Sequence, residues 1–248
     1  MEFLDPFVRM LESISSPAQI RAIEGGAPIT PLVEAVEASG YLDALVPEAQ
    51  GGAGLSLAEG FHLFHALGRF LVPAAIAEAI VARALGEASP EAKRQIGAIV
   101  TAAMIAGAGD HVLAMTIDYA GQRVQFGKPI ARQQAVQQQI AVMAEQVVMA
   151  RIAAQIGCAQ GLTPSAEIAA IAKYSASRAA VQIAAIAHAV HGAIGMSEAH
   201  DLCLYTRHLT AWRSAYGSES YWAEQLGHAR LAKPEINTVD YVRSLTAL

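Results

Sequence analysis

Arg123, Gln125, Phe126 and Gly127 stand in the stretch RVQFGKPIARQQAVQQQIAVMA, residues 123–144, ahead of a long helical pattern. A guanidinium presents a planar fork of donors matched to a phosphate or carboxylate. A neighbouring glycine lets backbone approach a ligand, and the start of the following helix adds partial positive charge that favours an anion. The same residues also make an ordinary helix–helix turn, with Phe126 in the core and Arg123 in a surface ion pair. The residues alone leave both readings open. A second turn, HGAIG at 191–195, suits close backbone approach, and equally a helix C-cap.

The other reactive side chains form weaker patterns. Glu59 and His62 make a Glu-x-x-His on a helix, the spacing of a di-iron bundle, but no second copy exists, so no metal is expected. His62, His65, His188, His191, His200 and His208 are scattered singly and read as core or surface histidines. Cys158 and Cys203 match no metal or redox spacing and read as reduced thiols. Trp212 and Trp222 read as packing residues. GGAGLS, 51–56, has no strand before it and no Gly-Lys-Ser/Thr after it, so it is not a phosphate loop.

The elements that must carry these residues are helical. Val136, Ile140, Met143 and Val147 fall at spacings of four and three, and Val148, Ile152 and Ile156 continue the stripe. The pattern predicts a helix over about 131–160, roughly 45 Å long at 1.5 Å per residue. Gly161, Thr163 and Pro164 stop it, and Ser165 with Glu167 starts an alanine-rich helix over about 165–190. Further helices are expected over about 96–122 and 217–230. Earlier in the chain, Pro28, Pro31, Pro47 and the glycines near 51 imply shorter helices, one of them capped by Ser56. No run of β-branched or aromatic residues alternates with polar ones, so the fold class is all-α. The polar stretch 86–95 marks the boundary between an N-terminal helical domain, 1–90, and a C-terminal part, 91–248.

Composition bounds the function. Of 248 residues, 54 % are hydrophobic and 16 % charged, which implies helices buried on several sides or a large subunit interface. A net charge of −5 makes nucleic acid an improbable partner. The N-terminal MEFLDPFVRM lacks a basic region followed by a long apolar run, and 179–197 reads as a buried helix, not a membrane span. A cytoplasmic location is the expectation.

YAGQRVQFGKPIARQQAVQQQIAVMA resembles the acyl-CoA dehydrogenase family, in which Arg-x-x-Phe-Gly-x-x-Ile before a glutamine-rich helix is a signature. AVHGAIGMSEAHDLCLYTRHLTAWRSAYGSE is similar to that family's second C-terminal motif, and GYLDALVPEAQGGAGLSLAEGFHLFHALGR, more weakly, to its N-terminal helices. The resemblance covers about 40–86 and 96–230. It implies a C-terminal four-helix bundle, FAD as cofactor and an acyl-CoA thioester as substrate. It further implies that Arg123, Gln125 and Phe126 touch the FAD pyrophosphate and adenosine, across to a neighbouring subunit. Gly192, Ala193 and Gly195 match the glycine-rich turn near the same part of the cofactor.

The chain also departs from that family. Its central β-barrel has no counterpart between about Leu85 and Ile96. The family's desaturation removes a proton beside the thioester, which needs a carboxylate within reach. The two usual positions for it fall on Gly217 and near Gly97. Glu219 is a substitute only if its turn is rearranged, and Ala189 replaces the usual adenine-side glutamine. The expectation is therefore a flavoprotein of acyl-CoA dehydrogenase type that is incomplete alone, a homo-oligomer or one subunit of a heteromeric enzyme. The alternative is a non-catalytic helical scaffold or oligomerisation partner.

Overall fold

A computed structural model describes residues 3–246, and nearly all its elements are helices. Three short helices, α1 (Leu4–Ile14), α2 (Pro17–Glu24) and α3 (Thr30–Ala38), precede α4 (Leu57–Arg69) and α5 (Ala74–Leu85). The longest helix, α6 (Pro90–Gln122), follows, then a hairpin of β1 (Val124–Gln125) and β2 (Lys128–Pro129). The chain continues through α7 (Gln134–Ala159), α8 (Ala166–His191), α9 (Leu202–Ser214), α10 (Glu219–Leu231) and α11 (Thr238–Thr246).

Local chemistry sets most of these boundaries. Ser56 caps α4 in a reciprocal box: its hydroxyl accepts from the Glu59 N–H at 3.2 Å, and Glu59 Oε2 accepts from the Ser56 N–H at 2.9 Å. That engagement accounts for the Glu59 carboxylate, which belongs to the cap. Ser165 caps α8 from one side only, its hydroxyl accepting from the Ile168 N–H at 3.3 Å, and Gly161, at φ +71, carries the chain away from α7.

Two expectations need correction here. The helix read over 96–122 begins at Pro90, because Ser89 accepts from the Ala92 N–H and proline at the first helical position needs no N–H partner. Only residues 86–89 therefore connect α5 to α6, and the rest of the polar stretch is the first turns of a helix. The segment 179–197 is also not uniformly buried. It leaves α8 at His191 and passes through a 3-10 turn, Gly192–Met196, where Met196 is 70 % exposed.

Helices α6, α7 and α8 pack against one another, with α10 and α9 laid against α8. Alanine and glycine set the spacing. Ala98, Ala102, Ala106, Ala154, Ala172 and Ala176 are all fully buried, and a Cβ on Gly157 would meet Ala172 Cβ at 2.9 Å and Ile99 Cγ2 at 3.0 Å. The α4–α6 crossing is tighter still: a Cβ on Gly107 would lie 1.8 Å from the His65 carbonyl oxygen. One hydrophobic core runs from Phe7 and Leu11 to Trp222, which is fully buried.

By length and composition, α6, the α7 helix and α8 with its following turn could each cross a bilayer. Within the fold, 83 % of the most apolar window of α6 is buried, against 33 % and 39 % for the other two. Val142, Val148, Met149 and Ile152 on α7, and Val181 on α8, remain exposed.

Candidate functional site

Two places collect the residues singled out from sequence. The first lies where α6 and α8 end. The Arg123 N–H donates to the Tyr119 carbonyl at 2.8 Å, closing α6, and the Ile130 N–H donates to the Arg123 carbonyl at 2.8 Å, closing the hairpin. Between them Val124 pairs with Pro129 and Gln125 with Lys128. The two turn residues, Phe126 at φ +52 and Gly127 at φ +75, are both left-handed, the geometry that two-residue hairpins favour. Ile130 anchors the hairpin base in a small cluster with Ala120 and Val190.

Opposite the hairpin, α8 ends at His191 and Gly192 turns the chain at φ +64. His191 stacks on Tyr119 with ring centroids 4.4 Å apart, and the Tyr119 hydroxyl donates to the His191 carbonyl at 3.2 Å. This pair ties the two helix ends together. Between them lies an open cavity of about 350 Å³, lined by Arg123, Gln125, Phe126, Gln139, Gly192 and Ala193 among others. Neither half of the ordinary-turn reading is realised: Phe126 is 90 % exposed, and the Arg123 side chain has no hydrogen bond or ion pair among the described residues.

Gly195 is placed differently. It is buried, and a Cβ there would meet His191 Cβ and Leu202 Cδ2, both at 2.9 Å, so its contact is with the fold. His191, expected only as a core or surface histidine, has a further place here. It is 3 % exposed, lines the cavity, and its Nε2 has no hydrogen-bond partner while Nδ1 is paired with the Ala187 carbonyl at 2.8 Å. Burial holds its ionisation below the usual histidine range. The one sequence signal was its position directly before Gly192.

These features fit a dinucleotide's diphosphate. The guanidinium offers donors, a Cβ on Gly192 would meet nothing within 4 Å, and His191 Nε2, with the Nδ1–H given to the Ala187 carbonyl, is left as an acceptor for a ligand hydroxyl. Gln125, Gln133 and Gln139 add amides around the opening.

The second place brings together Gly97 and Gly217. Gly97 sits on α6 against the ring of Tyr216, and Gly217 follows that tyrosine at φ +114. Beside them, between α5 and α6, is a cavity of about 210 Å³, lined largely by apolar side chains such as Val81, Leu85, Val100 and Met104. Its polar lining includes Glu78, Lys93 and Tyr216, and the Tyr216 hydroxyl donates to Glu78 Oε1 at 2.7 Å. Glu219 stands elsewhere. In the first turn of α10, it is paired with the Arg213 guanidinium and lines a separate recess with Tyr174, Arg178 and Gln182. Below that pair, the buried Lys173 ammonium donates to Ser177 Oγ at 2.8 Å and to the Arg213 carbonyl at 2.7 Å.

No group of three or more His, Cys, Asp or Glu suited to a metal ion occurs among the described residues. Apart from β1 and β2, no strand occurs among them either.

The family model for the acyl-CoA dehydrogenase C-terminal domain matches residues 86–230, more than half of the chain. The chain belongs to the acyl-CoA dehydrogenase family. It is 35 % identical over 133 residues to the acyl-CoA dehydrogenase IpdE2 of Mycolicibacterium smegmatis, covering 54 % of this chain and 39 % of that protein. To the short-chain-specific acyl-CoA dehydrogenase of Megasphaera elsdenii it is 34 % identical over 113 residues, covering 45 % of this chain and 30 % of the other. The chain thus spans well under half the length of these curated relatives. Among solved structures, a glutaryl-coenzyme A dehydrogenase complexed with glutaryl-CoA matches with a TM-score of 0.55 and 28 % identity, over 57 % of this chain and 36 % of that one. A chain of the ChsE4–ChsE5 complex from Mycobacterium tuberculosis matches with a TM-score of 0.80 over 94 % of this chain and 97 % of its own. At 16 % identity, that likeness concerns the fold.

Proposed function

We propose that this chain is a subunit of a heteromeric acyl-CoA dehydrogenase, grips the diphosphate of FAD, and completes its active site with a partner subunit that carries the β-barrel. The observation that carries this reading is the unpaired Arg123 guanidinium at an open cavity, opposite the Gly192–Ala193 backbone. Gln125 and Phe126, on the same hairpin, extend the contact toward the adenosine, and Gly195 shapes the turn behind it. FAD, when bound, supplies the acceptor for the hydride that an acyl-CoA thioester loses on α,β-desaturation. The exposed apolar faces of α7 and α8 serve as subunit contacts in this proposal, with residues 1–90 and 91–248 as its two structural parts and the cytoplasm as its location.

Without a barrel, one face of a flavin held here is left open to water, so the protein purified alone should carry little FAD. Co-expression with the product of a neighbouring acyl-CoA dehydrogenase-like gene should give a yellow complex. Arg123→Ala should remove flavin from that complex while leaving assembly unchanged. Absence of FAD from the chain, the partner and the pair alike rejects the proposal.

Glycine at both 97 and 217 favours a second reading, a non-catalytic scaffold. In that case Arg123→Ala disturbs assembly, or nothing, and no flavin is involved at any stage.

A further inference from the structure

The chain places a carboxylate at the apolar cavity from an unexpected element. Among the described residues Glu78, on α5, is the one carboxylate lining that cavity, whereas Glu219 lies in a separate recess against Arg213. We propose that Glu78, oriented by the Tyr216 hydroxyl, is the proton acceptor for the carbon beside a thioester carbonyl whose acyl body fills the α5–α6 cavity.

Three features support the assignment. Tyr216 adopts a left-handed backbone at φ +58, which a bulky residue rarely does and which concentrates at functional positions. Its ring occupies the room a side chain at 97 would need, since a Cβ there would stand 2.4 Å from Tyr216 Cε1. Its hydroxyl then reaches Glu78 Oε1 at 2.7 Å, and Oε2 makes no hydrogen bond among the described residues. Burial and the adjoining carboxylate push the ionisation of Tyr216 above the usual tyrosine range, so it remains the donor in this pair. A carboxylate with one oxygen held and one free is arranged to accept a proton. The cavity, about 210 Å³ and walled by Ala77, Val81, Val100 and Met104, exceeds the ~150 Å³ space that accepts a benzene ring, so it takes an aryl or short alkyl body.

The step needs no oxidant. The C–H bond beside the carbonyl breaks, its electron pair stays in the thioester enolate, and the proton forms an O–H bond on Glu78 Oε2. Exchange of that proton with solvent, followed by return to carbon, restores the thioester. In D2O the product carries deuterium.

The inference rests on the acyl-thioester reading above, and the experiment separates the two. The full chain, in complex with its partner subunit, is incubated with 3-phenylpropanoyl-CoA in D2O, binding is measured by calorimetry, and deuterium beside the carbonyl by mass spectrometry. Binding with exchange that falls about 100-fold or more in Glu78→Gln supports the proposal. Binding without exchange, or exchange unchanged in Glu78→Gln, overturns it and leaves the thioester reading standing. No binding removes that reading and the proposal together. Tyr216→Phe, which deletes the hydrogen bond that orients the carboxylate, should slow exchange at saturating thioester while leaving the dissociation constant from calorimetry unchanged; an unchanged exchange rate removes Tyr216 from the assignment. Circular dichroism of each variant verifies folding, and Glu78, being exposed, has no core to disrupt.

Discussion

The ring of Tyr216 fills the space that a side chain at Gly97 would need: a Cβ there would stand 2.4 Å from Cε1 and 2.5 Å from Cδ1. The contact joins α6 to the turn before α10, so glycine at one position and tyrosine at the other form a single packing unit. Gly97→Ala should cost ~1–3 kcal/mol by overpacking. In a Tyr216→Ala background the cost should largely vanish, because the obstacle is gone. Urea unfolding of the four proteins measures the coupling, and additive effects would count against the contact.

The α4–α6 crossing should be less forgiving. A Cβ on Gly68 would meet the Met104 carbonyl oxygen at 2.0 Å, and one on Gly107 the His65 carbonyl oxygen at 1.8 Å. Backbone cannot step aside as a side chain can. Gly68→Ala and Gly107→Ala should each cost at or beyond the top of the ~1–3 kcal/mol overpacking range. Gly227→Ala in α10, where a Cβ meets nothing within 4 Å, should instead stabilise by roughly 0.5–1 kcal/mol. Thermal unfolding would rank the three.

Lys173 makes stability depend on alkaline pH. Burial is the main cause that lowers its ionisation from 10.5 to about 8. Between those values the unfolded chain holds a proton that the folded chain has lost, so raising pH through the window favours folding. Relative to Lys173→Met, the wild-type chain should gain on the order of 2 kcal/mol between pH 7.5 and 10. The pH dependence of the difference in urea midpoint, which cancels other titrations common to both proteins, provides the check.

The two thiols should behave differently. Cys158 is 1 % exposed, and burial pushes its ionisation up to about 12, whereas Cys203 is half-buried. A disulfide reagent at pH 8 should label Cys203 in the native protein and reach Cys158 only as the chain unfolds. Equal native labelling rates would contradict the burial of Cys158.

Much of the scaffold could be read from residue order. Helices α7 and α8 follow from an apolar stripe and from the stop at Gly161–Pro164, and the cap at Ser56 was visible from its own residue type. The early start of α6 was legible too, in Ser89-Pro90, but the polarity of the stretch masked it. Helix α9 was missed, since its pattern merges with that of its flanks. The hairpin was missed because strands of two residues are too short to display alternation.

Residue order by itself determined the helical class, the family, and the clustering of Arg123, Gln125 and Phe126, because all three depend on chemistry within a turn or two of chain. Only tertiary packing decided that His191 backs the Arg123 cavity, that Gly195 is internal, and that Glu78 meets Tyr216. Those relationships join side chains from separate helices, and the depth at which two helices approach is set by glycines and alanines along the whole contact. No local spacing encodes that distance.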